Sequence, residues 1–443
     1  MERHVLQSFI RWKENPHRKP LIVRGARQVG KTYAISEFGR RYYSRVFSFD
    51  FEKNRSLRKI FDGDLTAENL LVQLEIAANG KIMPDTLLFF DEIQLCPRAL
   101  MALRYFYEER PELHLIAAGS LLEFEMEKIS FPVGRVEFEW MAPLSFAEFL
   151  QATGNEGLLE QRPHLDSTKK IPDFLHEKFL EQLKLYSLVG GMPEAVLRYG
   201  ETKSLHEVAR VHQSLIHAFG QDILKYERTI NIDSLSNLLE KIPRTVGKQI
   251  KYSRLMDVGG GESLYDIKKN LKVLEKSLLV HKVISSPAQG LPLAFESQQK
   301  VFKYLFVDIG LMQSLCGIQA QDVLQSKDLL GIYEGALCEQ LIGQELLCSG
   351  GSFDSGDSGH QKLYYWSRSK KSSNAEVDYL LVRTGKIYPL EVKKGPEGRL
   401  KSLHLFLEEH PQVACAYVLN SGNVGAIGKI RFRPLYASLA TKS

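Results

Sequence analysis

The chain has 443 residues, 44% of them hydrophobic and 25% charged, with a formal net charge of +5. This is the composition of a globular protein of roughly two to four domains; no run of ~18 apolar residues offers a membrane span and no signal-peptide core follows Met1, so a cytoplasmic protein is expected. Five scattered cysteines without a CxxC pair and twelve histidines without HExxH spacing exclude a zinc motif or disulfide framework, and the mild positive charge permits nucleic-acid binding without arguing for it.

From residue 1 to about 150, short apolar runs alternate with amphipathic stretches. Runs at 21–23, 46–49, 86–90 and 113–118 read as strands of a parallel α/β sheet. Between the first strand and a helix expected over 32–40 lies Gly25-Ala26-Arg27-Gln28-Val29-Gly30-Lys31-Thr32, a full match to GxxxxGK[ST]. A chance match in a chain of this length is on the order of a few per cent. The glycines free backbone N–H groups to cradle phosphate at a helix N-terminus; Lys31 is expected to reach the β- and γ-phosphates of ATP, and the Thr32 hydroxyl to coordinate Mg²⁺.

Four apolar residues then end in two carboxylates, Leu87-Leu88-Phe89-Phe90-Asp91-Glu92. Asp91 is expected to hold Mg²⁺ through water and Glu92 to polarise the attacking water as a general base. A further strand ends in Ala117-Ala118-Gly119-Ser120, whose serine either faces the γ-phosphate or is an ordinary loop residue.

The middle of the chain is helical. Segments 174–188 and 206–223 carry apolar residues at steps of three and four, separated by Gly190-Gly191-Met192-Pro193. Within 235–310, three short helical patterns precede two strands, 279–284 and 301–307, which is the outline of a winged helix. Lys269, Lys272 and Lys276 share one face of its last helix beside Lys268, with Leu271, Leu274 and Leu278 on the packed side. Such a unit either enters duplex DNA or packs beside an ATPase core.

Residues 349–360 are rich in Gly, Ser and Asp and are expected to form an exposed loop. Beyond them the chain is strand-rich, with a helix near 399–409, and a separate C-terminal α/β domain is expected at 325–440. Two β-rich runs flank Thr384-Gly385 as a hairpin. A two-residue turn pairs Arg383 with Lys386 and sets Asp378 opposite Glu391, with Lys393 on the same face. Facing carboxylates destabilise a sheet unless compensated, by a divalent metal or by Lys393.

Arg-Gln-Val-Gly-Lys-Thr, Asp91-Glu92-Ile93-Gln94, Ala-Gly-Ser, Gly134-Arg135-Val136, Pro143-Leu144-Ser145-Phe146-Ala147-Glu148-Phe149 and Gly190-Gly191-Met192-Pro193-Glu194 together resemble the prokaryotic AAA-type ATPases that carry a C-terminal domain of unknown function. The resemblance covers nearly the whole chain. It implies a sensor role for Ser120 and an arginine-finger role, in its own or a neighbouring subunit, for Arg135; Arg98 and Arg104 are rivals, and a structural salt bridge is the plain alternative. The C-terminal hairpin resembles the PD-(D/E)xK nuclease fold. That resemblance implies metal ligation by Glu339, Asp378 and Glu391, with Glu334 and Glu345 as alternatives to Glu339 on a helix at 333–347, and water activation by Lys393. The alternative is an ion-pair cluster on an inert descendant of that fold.

The expected fold is α/β: a P-loop sheet with helices on both faces (1–155), a helical connector (156–235), a winged-helix region (236–320) and a small restriction-endonuclease-like domain (325–440). The expected function is ATP binding and hydrolysis, with ATP and Mg²⁺ as cofactors, coupled to a nuclease-like domain that acts on double-stranded DNA. The alternative is a nucleotide-controlled switch whose nuclease-like domain is silent and binds a protein. A homo-oligomer is compatible with either, and no membrane partner is expected.

Overall fold

The computed structural model describes residues 2–226, 232–250, 252, 255, 263–295, 297–318, 335–349, 362–368, 375–395 and 399–439. The first part runs α1 (Val5–Glu14), β1 (Leu21–Arg24), α2 (Lys31–Tyr42), β2 (Arg45–Asp50), α3 (Ala67–Ala78), β3 (Thr86–Asp91), α4 (Pro97–Glu109), β4 (His114–Ala118), α5 (Leu122–Met126) and β5 (Glu137–Trp140). Its five strands are all parallel, in the order β2-β3-β4-β1-β5. All six residues of β3 are buried, which is why that run is apolar without alternation: helices cover both faces of a parallel sheet. β5 escapes the sequence reading because Glu-Phe-Glu-Trp is half-buried at the sheet edge and carries no apolar run.

A helical layer follows: α6 (Phe146–Ala152), α7 (Glu156–Glu160), α8 (Asp173–Val189), α9 (Pro193–Thr202), α10 (Leu205–Tyr226) and α11 (Ile232–Lys241). Then come α12 (Leu264–Lys276), the antiparallel pair β6 (Val280–Ser285) and β7 (Gln298–Phe306), and α13 (Ile309–Cys316). An isolated bridge, Ile250 to Phe302, adds a third short segment to that hairpin. Two helices of the expected winged-helix outline, α11 and α12, lie among the described residues. Leu271 and Leu274 are buried in α12 as expected, but Leu278 lies beyond the helix end and is buried at φ 62°.

The last part comprises α14 (Ala336–Cys348), β8 (Leu363–Ser367), β9 (Glu376–Val377), β10 (Tyr379–Arg383), β11 (Lys386–Val392), α15 (Lys401–Glu409), β12 (Ala416–Asn420), β13 (Gly425–Ile427) and β14 (Ile430–Pro434). A mixed sheet runs β10-β11-β12-β14-β13. Residues 350–360 of the Gly/Ser/Asp-rich segment, and Glu334, lie outside the described residues.

This part is not packed separately. β8 pairs in parallel with β6, giving a four-stranded sheet β7-β6-β8-β9 that joins the β6–β7 hairpin to the C-terminal part. One hydrophobic core extends from Leu6 to Leu439. Helix α14 is buried at every position from 337 to 347, so its sequence shows no amphipathic stripe. No helix among the described residues is long and apolar enough to cross a membrane.

His114 opens β4 with its ring edge-on to Trp12 and Tyr43, at 6.0 and 5.1 Å. Burial, helped by Arg18 and Lys13, lowers its pKa from 6.5 to about 4. Between those values the unfolded chain binds a proton that the native chain refuses, so stability falls as pH drops from 6.5 towards 4. The variant His114→Phe is expected to flatten this fall in the urea midpoint; an unchanged pH slope overturns the assignment.

Candidate functional site

β1 delivers the glycine-rich segment, β3 delivers Asp91 and Glu92, and β4, which lies between them in the sheet, delivers Ser120. Parallel strands put all three tips at one edge. The loop needs two of its glycines for distinct reasons. Gly30 takes φ 90° as the residue before α2, and a Cβ on Gly25 would overlap the Met141 carbonyl. Ala26 and Val29 are buried beneath the loop, and Gln28 bends it at φ 63°.

Lys31 is 7% exposed, and its Nζ donates to the carbonyls of Gly25 at 3.0 Å and Ala26 at 2.8 Å. Burial lowers its pKa to about 8, against the pull of Glu92 and Asp91. Arg27 pairs with Asp222 of α10, so the helical layer touches the loop directly. Burial raises Asp91 to about 6, against a hydrogen bond from the Thr32 side chain; Glu92 adds to the rise. Glu92 sits at φ 51°, a left-handed conformation that costs a non-glycine residue energy and is common at functional sites. Gln94 donates to the Glu92 carboxylate. A Cβ on Gly119 would overlap Gln94, so the small residue at the β4 tip makes room for the group that holds Glu92. Ser120 is 1% exposed, and its Oγ has no hydrogen-bond partner among the described residues.

Arg135 lies elsewhere. Glu137 N donates to Pro20 O, so the residues just before β5 are level with the start of β1, roughly 10 Å or more of strand below the loop. Arg135 pairs with Glu108 on α4, and Arg104 shares that carboxylate at 3.0 Å. Arg98 donates to the Phe61 and Gly63 carbonyls. Within one chain, therefore, Arg135 and Arg104 are held on Glu108 away from the glycine-rich loop.

Arg3 gave no signal in the sequence, yet it secures the loop. It is 6% exposed and donates to Val29 O at 2.7 Å, to Ala142 O at 2.7 Å and to Glu148 Oε1 at 2.9 Å. Glu148 and Ser145 form the capping box of α6, which is the physical content of the Pro-Leu-Ser-Phe-Ala-Glu-Phe run. Only a buried counter-charge explains an arginine so enclosed.

The Gly190-Gly191-Met192-Pro193 turn is fixed from the far side. The Gly191 amide donates to Asp308 Oδ2 at 2.6 Å, while its carbonyl accepts from Leu144 N at 2.6 Å. The Pro193 ring lies 3.4 Å from where a Cβ on Gly30 would stand. Asp308 is fully buried and caps α13 through Gly310 N and Leu311 N, at 3.0 and 3.1 Å. Gln344 of α14 donates to Asp308 and to the Tyr186 hydroxyl. Its neighbour Glu345 accepts from Phe146 N and pairs with Arg162 at 2.8 Å, which commits it to packing between elements.

The C-terminal hairpin has the register Arg383 to Lys386 through Tyr379 to Leu390, which sets Asp378 beside Glu391. Thr384 and Gly385 both take positive φ, as a two-residue hairpin turn demands. Asp378 Oδ2 accepts from Val392 N, and Glu391 Oε1 pairs with Lys393 Nζ at 2.6 Å. Glu339, Asp378 and Glu376 each bring one carboxylate oxygen within 4.8 Å of the others. Glu376 went unnoticed in the sequence, and so did Lys303 of β7, which pairs with all three. A single lysine inside the apolar run from Val301 to Phe306 is the signal that marked it. Burial raises Glu339 to about 7 against Lys303, and raises Glu391 to about 8, with Asp378 adding to the latter.

On α12, Lys276 pairs with Glu127 at 2.5 Å and Lys272 lies 4.0 Å from it, so part of the expected lysine face is turned onto the loop after α5. Lys268 lies over the Tyr252 ring.

Residues 17–150 match the family model described as an AAA domain. Residues 180–322 and 334–430 match two domains of unknown function, DUF8612 and DUF4143. No curated protein matches the chain. Among solved structures, it is similar to the Walker-type ATPase PABY2304 of Pyrococcus abyssi, with 14% identity over 70% of this chain and 94% of that one, at TM-score 0.42. The Orc1 protein of Aeropyrum pernix, solved in complex with DNA, has 12% identity over 73% and 95%, at TM-score 0.32. The RuvB Holliday junction branch migration motor of Thermotoga maritima has 13% identity over 60% and 82%, at TM-score 0.27. The chain thus carries an AAA-type P-loop domain followed by two domains of unknown function.

Replacing Asp308 by Ala leaves three buried amides, of Gly191, Gly310 and Leu311, without their acceptor. A loss of about 3–5 kcal/mol is expected in denaturant unfolding, with Asp308→Asn, which keeps an acceptor oxygen, costing less. Equal losses for the two variants contradict the hydrogen-bond account.

Proposed function

We propose that this chain binds and hydrolyses ATP at the edge formed by β1, β3 and β4, and that its nucleotide state is relayed to the C-terminal part. The observation that carries the reading is the convergence of Lys31, Thr32, Asp91, Glu92 and the unpartnered Ser120 on one sheet edge. In this reading residues 1–155 are the ATPase core, 156–235 a lid, 236–320 a winged helix and 325–440 a nuclease-like unit.

The backbone N–H groups from Gly25 to Thr32 take the phosphates, and Lys31 exchanges its two carbonyl partners for phosphate oxygens, which gives a buried ammonium anionic partners. Thr32 and Asp91, already in contact, make the hard-oxygen pair that suits Mg²⁺. Bound there, the ion would neutralise charge on the phosphates. Glu92, fixed by Gln94, orients and deprotonates the attacking water, and Ser120 holds the water or the γ-phosphate. Arg135, out of reach of its own loop, serves a neighbouring copy in a homo-oligomer.

The relay follows from contact. The Pro193 ring against Gly30, the Gly191 amide on Asp308, and Gln344 on Asp308 link the phosphate loop to α14 and hence to Glu339. This favours a nucleotide-controlled switch. Double-stranded DNA as the partner is a second reading, favoured by the helix–hairpin unit with Lys268, Lys269, Lys272 and Lys276.

Lys31→Ala is expected to abolish nucleotide binding measured by calorimetry. Glu92→Gln is expected to bind ATP with unchanged affinity and to hydrolyse it about 100-fold or more slowly in phosphate-release assays. Normal turnover by both variants defeats the central reading. For DNA, Glu127→Gln frees Lys272 and Lys276 and is expected to strengthen duplex binding in fluorescence anisotropy, whereas Glu125→Gln, which removes the same charge from the Lys128 pair, is not. Equal effects of the two variants exclude that face as the DNA contact.

A further inference from the structure

Lys303 belongs to β7, in the winged-helix hairpin, yet its side chain ends among carboxylates of the C-terminal part and is 1% exposed. Its Nζ lies 2.7 Å from Glu339 Oε1 and 3.5 Å from Asp378 Oδ1, and is paired with Glu376. These are the same three residues whose oxygens stand close enough together to share one metal ion. The ammonium therefore sits against two of the three carboxylates, Glu339 and Asp378, that the nuclease resemblance would give to a divalent cation, with Glu376 in place of Glu391. With Lys303 seated, the cluster does not fit a metal, and no metal-dependent step is assigned to it.

Burial alone pushes a lysine towards the neutral form; here Glu339, Asp378 and Glu376 outweigh it and hold the Lys303 pKa well above its ordinary value. The rest of the winged-helix region closes over the same group. Gln249 donates to Glu376 Oε2 at 2.6 Å, and a Cβ on Gly247 would stand 3.1 Å from Glu339 Oε2.

Two further observations point to a cation site rather than to packing. Glu391, beside Asp378, is 5% exposed, and its Oε2 has no hydrogen-bond partner among the described residues. A cleft of about 570 Å³, lined by Arg244, Lys248, Glu339, Asp378 and Lys393 among others, opens onto the cluster from solvent. Stability alone is a weak reason to retain a buried charge network, since well-packed apolar residues do as well.

We propose that Lys303 is a built-in cation that fills this site, so that the C-terminal part takes a hard divalent ion such as Mn²⁺ or Mg²⁺ only where this ammonium is absent. The inference rests on the nuclease-like reading only for the class of ion, an oxygen-bound divalent cation. Because Lys303 belongs to β7, the winged-helix region and not the C-terminal part supplies this cation.

The test is Mn²⁺ binding by the full chain without nucleotide, in a Lys31→Ala background, read by the electron paramagnetic resonance signal of free Mn²⁺. The chain with Lys303 intact is expected to take up no Mn²⁺, and Lys303→Met to take up one equivalent and melt at a higher temperature with the metal than without. Adding Asp378→Asn to Lys303→Met should abolish the uptake. If Lys303→Met does not fold, Lys303→Gln, which removes the charge but keeps a hydrogen-bond donor for the carboxylates, is measured in its place. Stoichiometric uptake with Lys303 present that is lost in Asp378→Asn overturns the proposal, as does absence of uptake by both Lys303 variants. DNA cleavage is not the readout, so Lys303→Met that binds Mn²⁺ without cutting DNA counts against the nuclease reading and leaves this one standing.

Discussion

Asp308 accepts hydrogen bonds from three amides and one side-chain amide while excluded from solvent. A carboxylate in that position is costly to bury, and burial raises its pKa. The cost is offset because every donor comes from an element that must meet there. The Gly190-Gly191 turn leads to α9 and the phosphate loop, Gly310 and Leu311 begin α13, and Gln344 belongs to α14. A Cβ on Gly191 would overlap Leu144, and a Cβ on Gly190 would overlap Asp308 itself, so the approach permits only glycine at both positions. Remove this junction and the three regions keep their local structure but lose their common reference point.

The parts of the fold legible in the sequence are those governed by local rules. The glycine-rich loop between β1 and α2 carries its own geometry. The β10–β11 register follows from a two-residue turn and a period of two, so Asp378 and Glu391 could be placed side by side by counting. What stayed illegible is long-range. Arg3 reaches Glu148 across the chain, and Lys303 reaches Glu339 from another region. Neither pairing has a sequence period. The all-round burial of α14 also erased the amphipathic stripe that would have announced its role.

Two buried lysines illustrate how the same side chain is used in opposite ways. Lys31 is held on two neutral carbonyls, an arrangement that leaves its charge under-compensated and receptive to an anion. Lys303 is held on carboxylates and is saturated. The first suits a group that must change partners in every cycle. The second suits a group that stays in place. The contrast is set by partner chemistry alone, since both ammonium groups are enclosed.

The pairing of β6 with β8 has a bearing on biosynthesis. β6 and β7 can form their hairpin as soon as both have emerged, but the other edge of β6 finds its neighbour only about 80 residues later. At ordinary translation speeds that interval is on the order of ten seconds. Throughout it, Val283 to Ser285 present an unpaired strand edge, the feature through which nascent chains stick to one another. The polypeptide thus passes through a defined interval in synthesis with this edge open, and attention by a holding chaperone would be valuable between the exit of β7 and the exit of β8.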